Sequence, residues 1–196
     1  MNGHRAHGFS SVHFLDSDEI ISELNLKGDE AFMDAGCGDG HIAIKAIEEY
    51  LPYGFVYAVD NYDPSIEELQ AYKKEKGLEN FEVIKADITA DIVQIEDDSI
   101  DMVFMFNVVH GFKASDKMEE VIESLMRIIK KDGKIAIVEF NPVDWPIGPP
   151  IEIKYAPDEL EVIFNKFDFD KVYLNENIGQ DGPNGKSHYV IIFEKR

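Results

Sequence analysis

A glycine turn, three aspartates and a set of histidines are the residues of this chain best suited to chemistry. The turn reads Asp34-Ala35-Gly36-Cys37-Gly38-Asp39-Gly40, with glycine at alternate positions. Glycines there let a backbone bend sharply and approach a ligand closely, and the helix that follows offers N–H groups at its positive end. Taken alone, the same string can be a tight turn and nothing more. The spacing departs from the dinucleotide fingerprint, which needs glycine where this chain has His41, and no G-K-[ST] step supplies a phosphate-binding lysine. Asp60 lies twenty residues beyond Gly40, the interval at which a carboxylate meets a ribose diol. Asp34 stands in the turn, and Asp60 and Asp87 follow the next two predicted strands. One such acid is usually a helix cap; three at one edge of one sheet mark a ligand edge. His110 and His188 are expected at the same edge, where histidine serves as base, hydrogen-bonding group or metal ligand. The plain alternative for each is a loop histidine bonded to backbone.

The elements that must position these residues alternate in type. SDEIISEL, from Ser17 to Leu24, reads as a short amphipathic helix with Ser17 as its N-cap. A strand from Ala31 to Ala35 enters the glycine turn, and a helix from His41 to Leu51 leaves it. Phe55 to Val59 forms a second strand, Pro64 opens a helix that Gly77 closes, and Phe81 to Lys85 is a third strand. The continuous apolar run Ile100 to Phe106 predicts a strand covered on both faces. Ala114 to Lys131 has helical periodicity and stops at Lys131-Asp132-Gly133, before a fifth strand from Lys134 to Phe140. Asn141 to Pro150 reads as an ordered loop, and Pro157 to Phe167 as a helix. Two strands, Lys171 to Leu174 and His188 to Glu194, close the chain around a loop from Ile178 to Lys186. Strand-helix alternation implies an α/β fold, a mostly parallel seven-stranded sheet with helices on both faces and one strand reversed near the end.

Composition narrows the partners. With 39 Asp plus Glu against 19 Lys plus Arg, the chain of 196 residues carries a formal charge of −20. Such a surface repels nucleic-acid backbones and anionic lipid, so neither nucleic acid nor membrane is an expected partner. A single cysteine, Cys37, leaves no intramolecular disulfide and no Cys-rich zinc site. The start, MNGHRAHGF, lacks the apolar core of a secretion signal, and a cytoplasmic soluble protein is the expectation. Cys37 is expected buried and inert, and His41 reads as a helix-face residue.

From Ala31 to Glu194 the chain resembles the class I S-adenosylmethionine-dependent methyltransferases. The resemblance is carried by FMDAGCGDG (Phe32 to Gly40), VYAVD (Val56 to Asp60), ADIT (Ala86 to Thr89), SIDMVFMFNVVHGF (Ser99 to Phe112) and LMRIIKKDGKIAIVEF (Leu125 to Phe140), in that order. It implies a Rossmann-like sheet of order 3-2-1-4-5-7-6 with the seventh strand antiparallel, and one domain over residues 1–196. Residues 1–28 would be a capping segment and 29–196 the catalytic core. It also implies S-adenosylmethionine as cofactor. Gly36 and Gly38 would approach its methionine part, Asn107 would lie beside it, and Asp34 would be a further cofactor-binding residue. Asp60 would take the ribose hydroxyls, with Asn61 next to it and Tyr62 along the adenine; Asp87 and Ile88 would read the adenine edge. Asp101 matches a common family acid, but within a strand it reads as structural.

For the reaction, the expectation is in-line methyl transfer to a small-molecule acceptor, with His110 and His188 as the catalytic candidates. His7 and His13, in a segment that commonly folds over the cofactor in this family, and Trp145 would contact the substrate; His4 is close enough to join them. The core motifs are most similar to the quinone-biosynthesis methyltransferases. Asn107-Val108-Val109-His110 is not the Asp/Asn-Pro-Pro-aromatic motif of DNA base methylation, and one cysteine does not suit arsenite methylation. Metal binding by the histidines, cofactor binding without turnover and methylation of a protein partner stay open as alternatives, as does the oligomeric state.

Overall fold

A computed structural model of the protein describes residues 15–196. Seven strands form one sheet of order β3-β2-β1-β4-β5-β7-β6. They are β1 (Ala31–Ala35), β2 (Phe55–Asp60), β3 (Phe81–Lys85), β4 (Ile100–Phe106), β5 (Ile129–Phe140), β6 (Phe169–Gly182) and β7 (Gly185–Lys195). β7 runs antiparallel to both neighbours, and the other pairings are parallel. This is the sheet that the strand-helix alternation and the family resemblance imply.

Strand alternation divides the core between the two sheet faces. Phe32, Val56, Phe104, Val138 and Val190 pack with α1 (Ser17–Glu23), α2 (His41–Lys45) and α3 (Asp63–Lys76). Met33, Val103, Ile137 and Tyr189 pack with α4 (Val109–Ser115), α5 (Met118–Met126) and α6 (Pro157–Asn165). Burying each large aliphatic or aromatic side chain stabilises the fold by about 1.5–3 kcal/mol. None of the described helices is long and apolar enough to cross a membrane.

Five stretches differ from the reading of the sequence. Asp16, not Ser17, caps α1, because its side chain accepts the Asp18 N–H at 2.8 Å. The helix after the glycine turn is α-helical only to Lys45 and continues as one π turn, Ala46–Tyr50. The single helix expected from Ala114 to Lys131 is two, α4 and α5, since Asp116 takes a left-handed φ of 55° and ends the first. Ile129 already belongs to β5, and Asp132-Gly133 lies at an irregularity of that strand. The expected loop from Ile178 to Lys186 mostly continues the hairpin, pairing as far as Gly182–Gly185.

Parallel strands bring their carboxyl ends to one edge, and the turn after β1 lies there. Gly40, at φ 73°, sits against α3: a Cβ on it would lie 2.3 Å from Leu69 Cδ2. Gly40→Ala is therefore expected to destabilise the protein by about 1–3 kcal/mol, read as a lower urea midpoint.

Candidate active site

The glycine turn is held by its own backbone amides. Gly36 and Cys37 donate to Val59 O at 2.8 and 3.1 Å, and Gly40 donates to Cys37 O at 2.8 Å. Gly38 N–H donates to Asp60 Oδ2 at 2.9 Å, and His41 N–H to Asp39 Oδ1 at 3.3 Å. With these amides committed, the turn is not a phosphate cradle, which agrees with the missing lysine. Gly38, at φ 53°, opens on space: a Cβ there would meet nothing within 4 Å.

The strand-end acids are shaped by the turns they close. Asp60 ends β2 and accepts from Gly38 N–H through one oxygen and from Tyr62 N–H, at 2.9 Å, through the other. Each oxygen keeps a lone pair for a ligand. Asn61 and Tyr62 are exposed beside it, Tyr62 at the cap of α3. Asp87 is exposed after β3 and accepts from the Thr89 N–H and hydroxyl at 2.9 and 2.8 Å. Those bonds hold its carboxyl below the usual range. Ile88 is buried next to it, and its carbonyl accepts from Ser124 Oγ. Asn107 leaves β4 at φ 53°, with its Oδ1 buried and without a partner.

Asp34 points to the α2 side of the sheet, 3% exposed. Burial pushes its carboxyl up to about 7, while the His41 charge and the Ala43 N–H pull the other way. His41 is not a simple helix-face residue. Its Nδ1 is 2.7 Å from Asp39 Oδ1, its ring meets Phe106 edge-on at 6.0 Å, and its Nε2 is buried without a partner. Cys37 is buried, and desolvation with Asp34 and Asp60 nearby raises its thiol far above reactivity. Asp101 is structural as expected, accepting the Ala31 N–H and pairing with Lys130, each at 2.8 Å.

The histidines meet an aromatic row along the same edge. Phe106 and His188 lie 6.3 Å apart by ring centroids, His188 and Phe140 4.2 Å, and Phe140 and His110 6.5 Å. His188 is fully buried as the fourth residue of β7, rather than its first, opposite Phe140 of β5. Its Nδ1 is 2.8 Å from Ser187 Oγ, and burial lowers its pKa to about 4, so it is neutral at neutral pH.

His110, in the first turn of α4, places Nδ1 2.9 Å from Glu139 Oε2, and its backbone N–H donates to the same oxygen at 3.2 Å. Burial lowers the His110 pKa, but the charge and hydrogen bond of Glu139 outweigh it and the net shift is upward. Glu139 is fully buried and sits on the opposite sheet face from Phe140. Lys154, 2% exposed, donates to Val143 O at 2.7 Å and lies 5.6 Å over the Phe140 ring. Burial lowers its pKa against the pull of Glu139 and Asp144.

Glu139 and Lys154 escaped the reading of the sequence. An acid inside an apolar strand, IAIVEF, was a signal available there. Trp145 is half-buried against the hairpin: a Cβ on Gly182 would fall 2.0 Å from its ring. His4, His7 and His13 lie outside the described residues. Among the described residues, no group of three or more His, Cys, Asp or Glu is arranged to hold a metal.

A seven-stranded sheet of this order, with a glycine turn and carboxylates at successive strand exits, defines the class I methyltransferase fold. The chain belongs to the "Methyltransferase domain" family, whose model matches residues 26–184. The ubiquinone/menaquinone biosynthesis C-methyltransferase UbiE of Agrobacterium fabrum is 24% identical over 142 residues, covering 70% of this chain and 52% of that protein. A probable cobalt-precorrin-6B C(15)-methyltransferase (decarboxylating) of Saccharolobus solfataricus is 29% identical over 118 residues, covering 60% and 56%. The chain thus spans about half the length of the curated relatives it matches. The crystal structure of a SAM-dependent methyltransferase from Aquifex aeolicus superposes with a TM-score of 0.77 at 22% identity, covering 94% of this chain and 92% of that one.

The buried acid of the turn has a measurable signature. With a carboxyl at about 7 in the folded chain against 3.8 unfolded, Asp34 holds a proton in the fold that the unfolded chain has lost between those values. Its contribution to stability therefore falls as the pH rises through that window. Asp34→Asn is expected to raise the unfolding free energy at pH 8 by about 2–4 kcal/mol, with the gain vanishing near pH 4. Urea unfolding at both pH values measures the difference.

Proposed function

We propose that the protein transfers a methyl group from S-adenosylmethionine to a small-molecule acceptor. The observation that carries this reading is the pair of strand-end carboxylates, Asp60 and Asp87, flanking a glycine turn open at Gly38. The residues fit the donor. Asp60 keeps lone pairs for two ribose hydroxyls, Asp87 and the Ile88 N–H suit the adenine edge, and Asn61 and Tyr62 border it. Asp34, Gly36, Gly38 and Asn107 would surround the methionine part. Bound there, the donor supplies an electrophilic methyl on a sulfonium, a cation that suits an acidic, aromatic edge.

His110 is the proton acceptor in this reading. Glu139 takes the Nδ1 proton in hydrogen bonding, which leaves Nε2 as the basic atom of the neutral ring. His188, neutral at working pH, hydrogen-bonds the acceptor, and the ring of Phe140 borders both histidines. Trp145 would wall the pocket, and His7 and His13, which lie outside the described residues, remain the proposed substrate contacts. The net charge of −20 favours a small molecule over nucleic acid. Both named relatives are C-methyltransferases, and transfer to carbon requires loss of a proton from that carbon, the task assigned to His110.

Calorimetry with S-adenosylhomocysteine tests the donor site. Asp60→Ala is expected to weaken binding by about 2–3 kcal/mol, through loss of charge-assisted contacts; an unchanged affinity rejects the ribose assignment. Incubation with labelled S-adenosylmethionine and a metabolite extract should label a small molecule, and binding without any transfer rejects the enzymatic reading. In the pH profile of that transfer, Glu139→Gln removes the interaction that raises His110, so the rising limb should move to lower pH. A limb that stays in place rejects His110 as the base.

A further inference from the structure

Among the described residues, Lys154 is the one lysine or arginine that is buried, at 2% exposed, in a chain whose net charge is −20. An ammonium taken out of water is costly unless opposite charge and hydrogen bonds meet it. Here the protein meets it in part. Of the three N–H donors on Nζ, one goes to Val143 O at 2.7 Å, and Nζ lies 5.6 Å over the Phe140 ring. No carboxylate among the described residues pairs with it, and Glu139 and Asp144 reach it only through their fields. The Glu139 oxygens accept elsewhere, from the backbone N–H and Nδ1 of His110 and from the Phe140 N–H. Holding the Val143 carbonyl calls for a donor but for no net charge, so a strut alone leaves the buried charge without a reason.

The place of Lys154 in the fold supplies one. The Phe140 ring centroid is 6.5 Å from that of His110 and 4.2 Å from that of His188. The ammonium and the two histidines proposed to face the acceptor thus stand around one ring, and an anion seated on Nζ would belong to the molecule those histidines hold. A single ammonium suits a single negative charge. The further cations that a phosphate ester would call for are committed to other acids, Arg127 to Asp91 and Asp97, Arg196 to Asp170 and Lys113 to Glu159.

We infer that Lys154 is the anion-binding residue of the acceptor pocket, and that the molecule methylated carries a carboxylate that seats on Nζ beside Phe140. The assignment rests on the methyl-donor reading above and adds to it the charge class of the acceptor.

Benzoate and benzamide, alike in shape and different in charge, test it by calorimetric titration of the protein saturated with S-adenosylhomocysteine. Wild-type protein should bind benzoate at least tenfold more tightly than benzamide. Lys154→Met, which keeps the apolar stem and removes the charge, should bring benzoate down to the level of benzamide. The same variant should leave benzamide and S-adenosylhomocysteine within twofold of wild type. Lys154→Arg, which keeps the charge, should keep the preference for benzoate. A wild-type protein without that preference overturns the carboxylate site while the methyl-donor reading stands. So does a Lys154→Met protein that weakens both probes equally, the outcome for a strut. Wild-type protein that does not bind S-adenosylhomocysteine overturns the methyl-donor reading and the assignment with it.

Discussion

A single hydrogen bond, from the Gly38 N–H to Asp60 Oδ2, ties the loop after β1 to the exit of β2. The neighbouring strand helps from its backbone, since Val59 O accepts from both Gly36 and Cys37. These bonds fold the turn back across the sheet edge and fix where the Gly38 opening lies. Asp60 is bound at both oxygens and so is oriented before any ligand arrives. A pre-oriented acceptor lowers the ordering cost of binding, which is the advantage of building a ligand contact into a turn. The same carboxylate that shapes the turn is the one proposed to take the ribose.

Around that frame the protein buries several ionisable groups. Asp34 lies beneath the turn, while Glu139, His110 and Lys154 gather near the ends of β4 and β5. An isolated buried charge is costly, and partners reduce that cost. Glu139 is met by His110, by the Phe140 N–H at 2.8 Å and by the field of Lys154. His188, on the other side of the Phe140 ring from His110, is neutral instead. Two histidines at one edge are thereby driven in opposite directions, one towards charge and one away from it. Such divergence between neighbouring titratable groups is a mark of a functional site.

The sheet was legible in the residues because parallel buried strands are written as short apolar runs, as in Ile100 to Phe106, and because glycines and acids punctuate their ends. The strand-end aspartates were legible for the same reason: their positions follow from topology. What the chain pattern hid depended on contacts distant in sequence. Ile128 and Ile129 continue a helical periodicity, yet pairing of Ile129 with Ile100 draws it into β5. Glu139 looks like an acid at a strand end until His110, twenty-nine residues earlier, is seen beside it. His41 has the spacing of a helix-surface residue, and only the ring of Phe106 and the carboxylate of Asp39 show that it faces inward.

The closing hairpin divides labour along its length. From Lys134 to Phe140, β5 pairs with β7 and fixes it to the sheet, but the pairs Asp181–Lys186 and Gly182–Gly185 of β6 and β7 lie beyond the last of those contacts. There the arm meets the loop holding Trp145, through Gly182 and through the Asn184 side chain on Asp144 O at 3.1 Å. Insertions or deletions at its Pro183-Asn184 tip would remodel the surface around Trp145 without disturbing the register of any parallel strand. A lineage carrying this scaffold can vary that arm at one end while inheriting the glycine turn at the other unchanged.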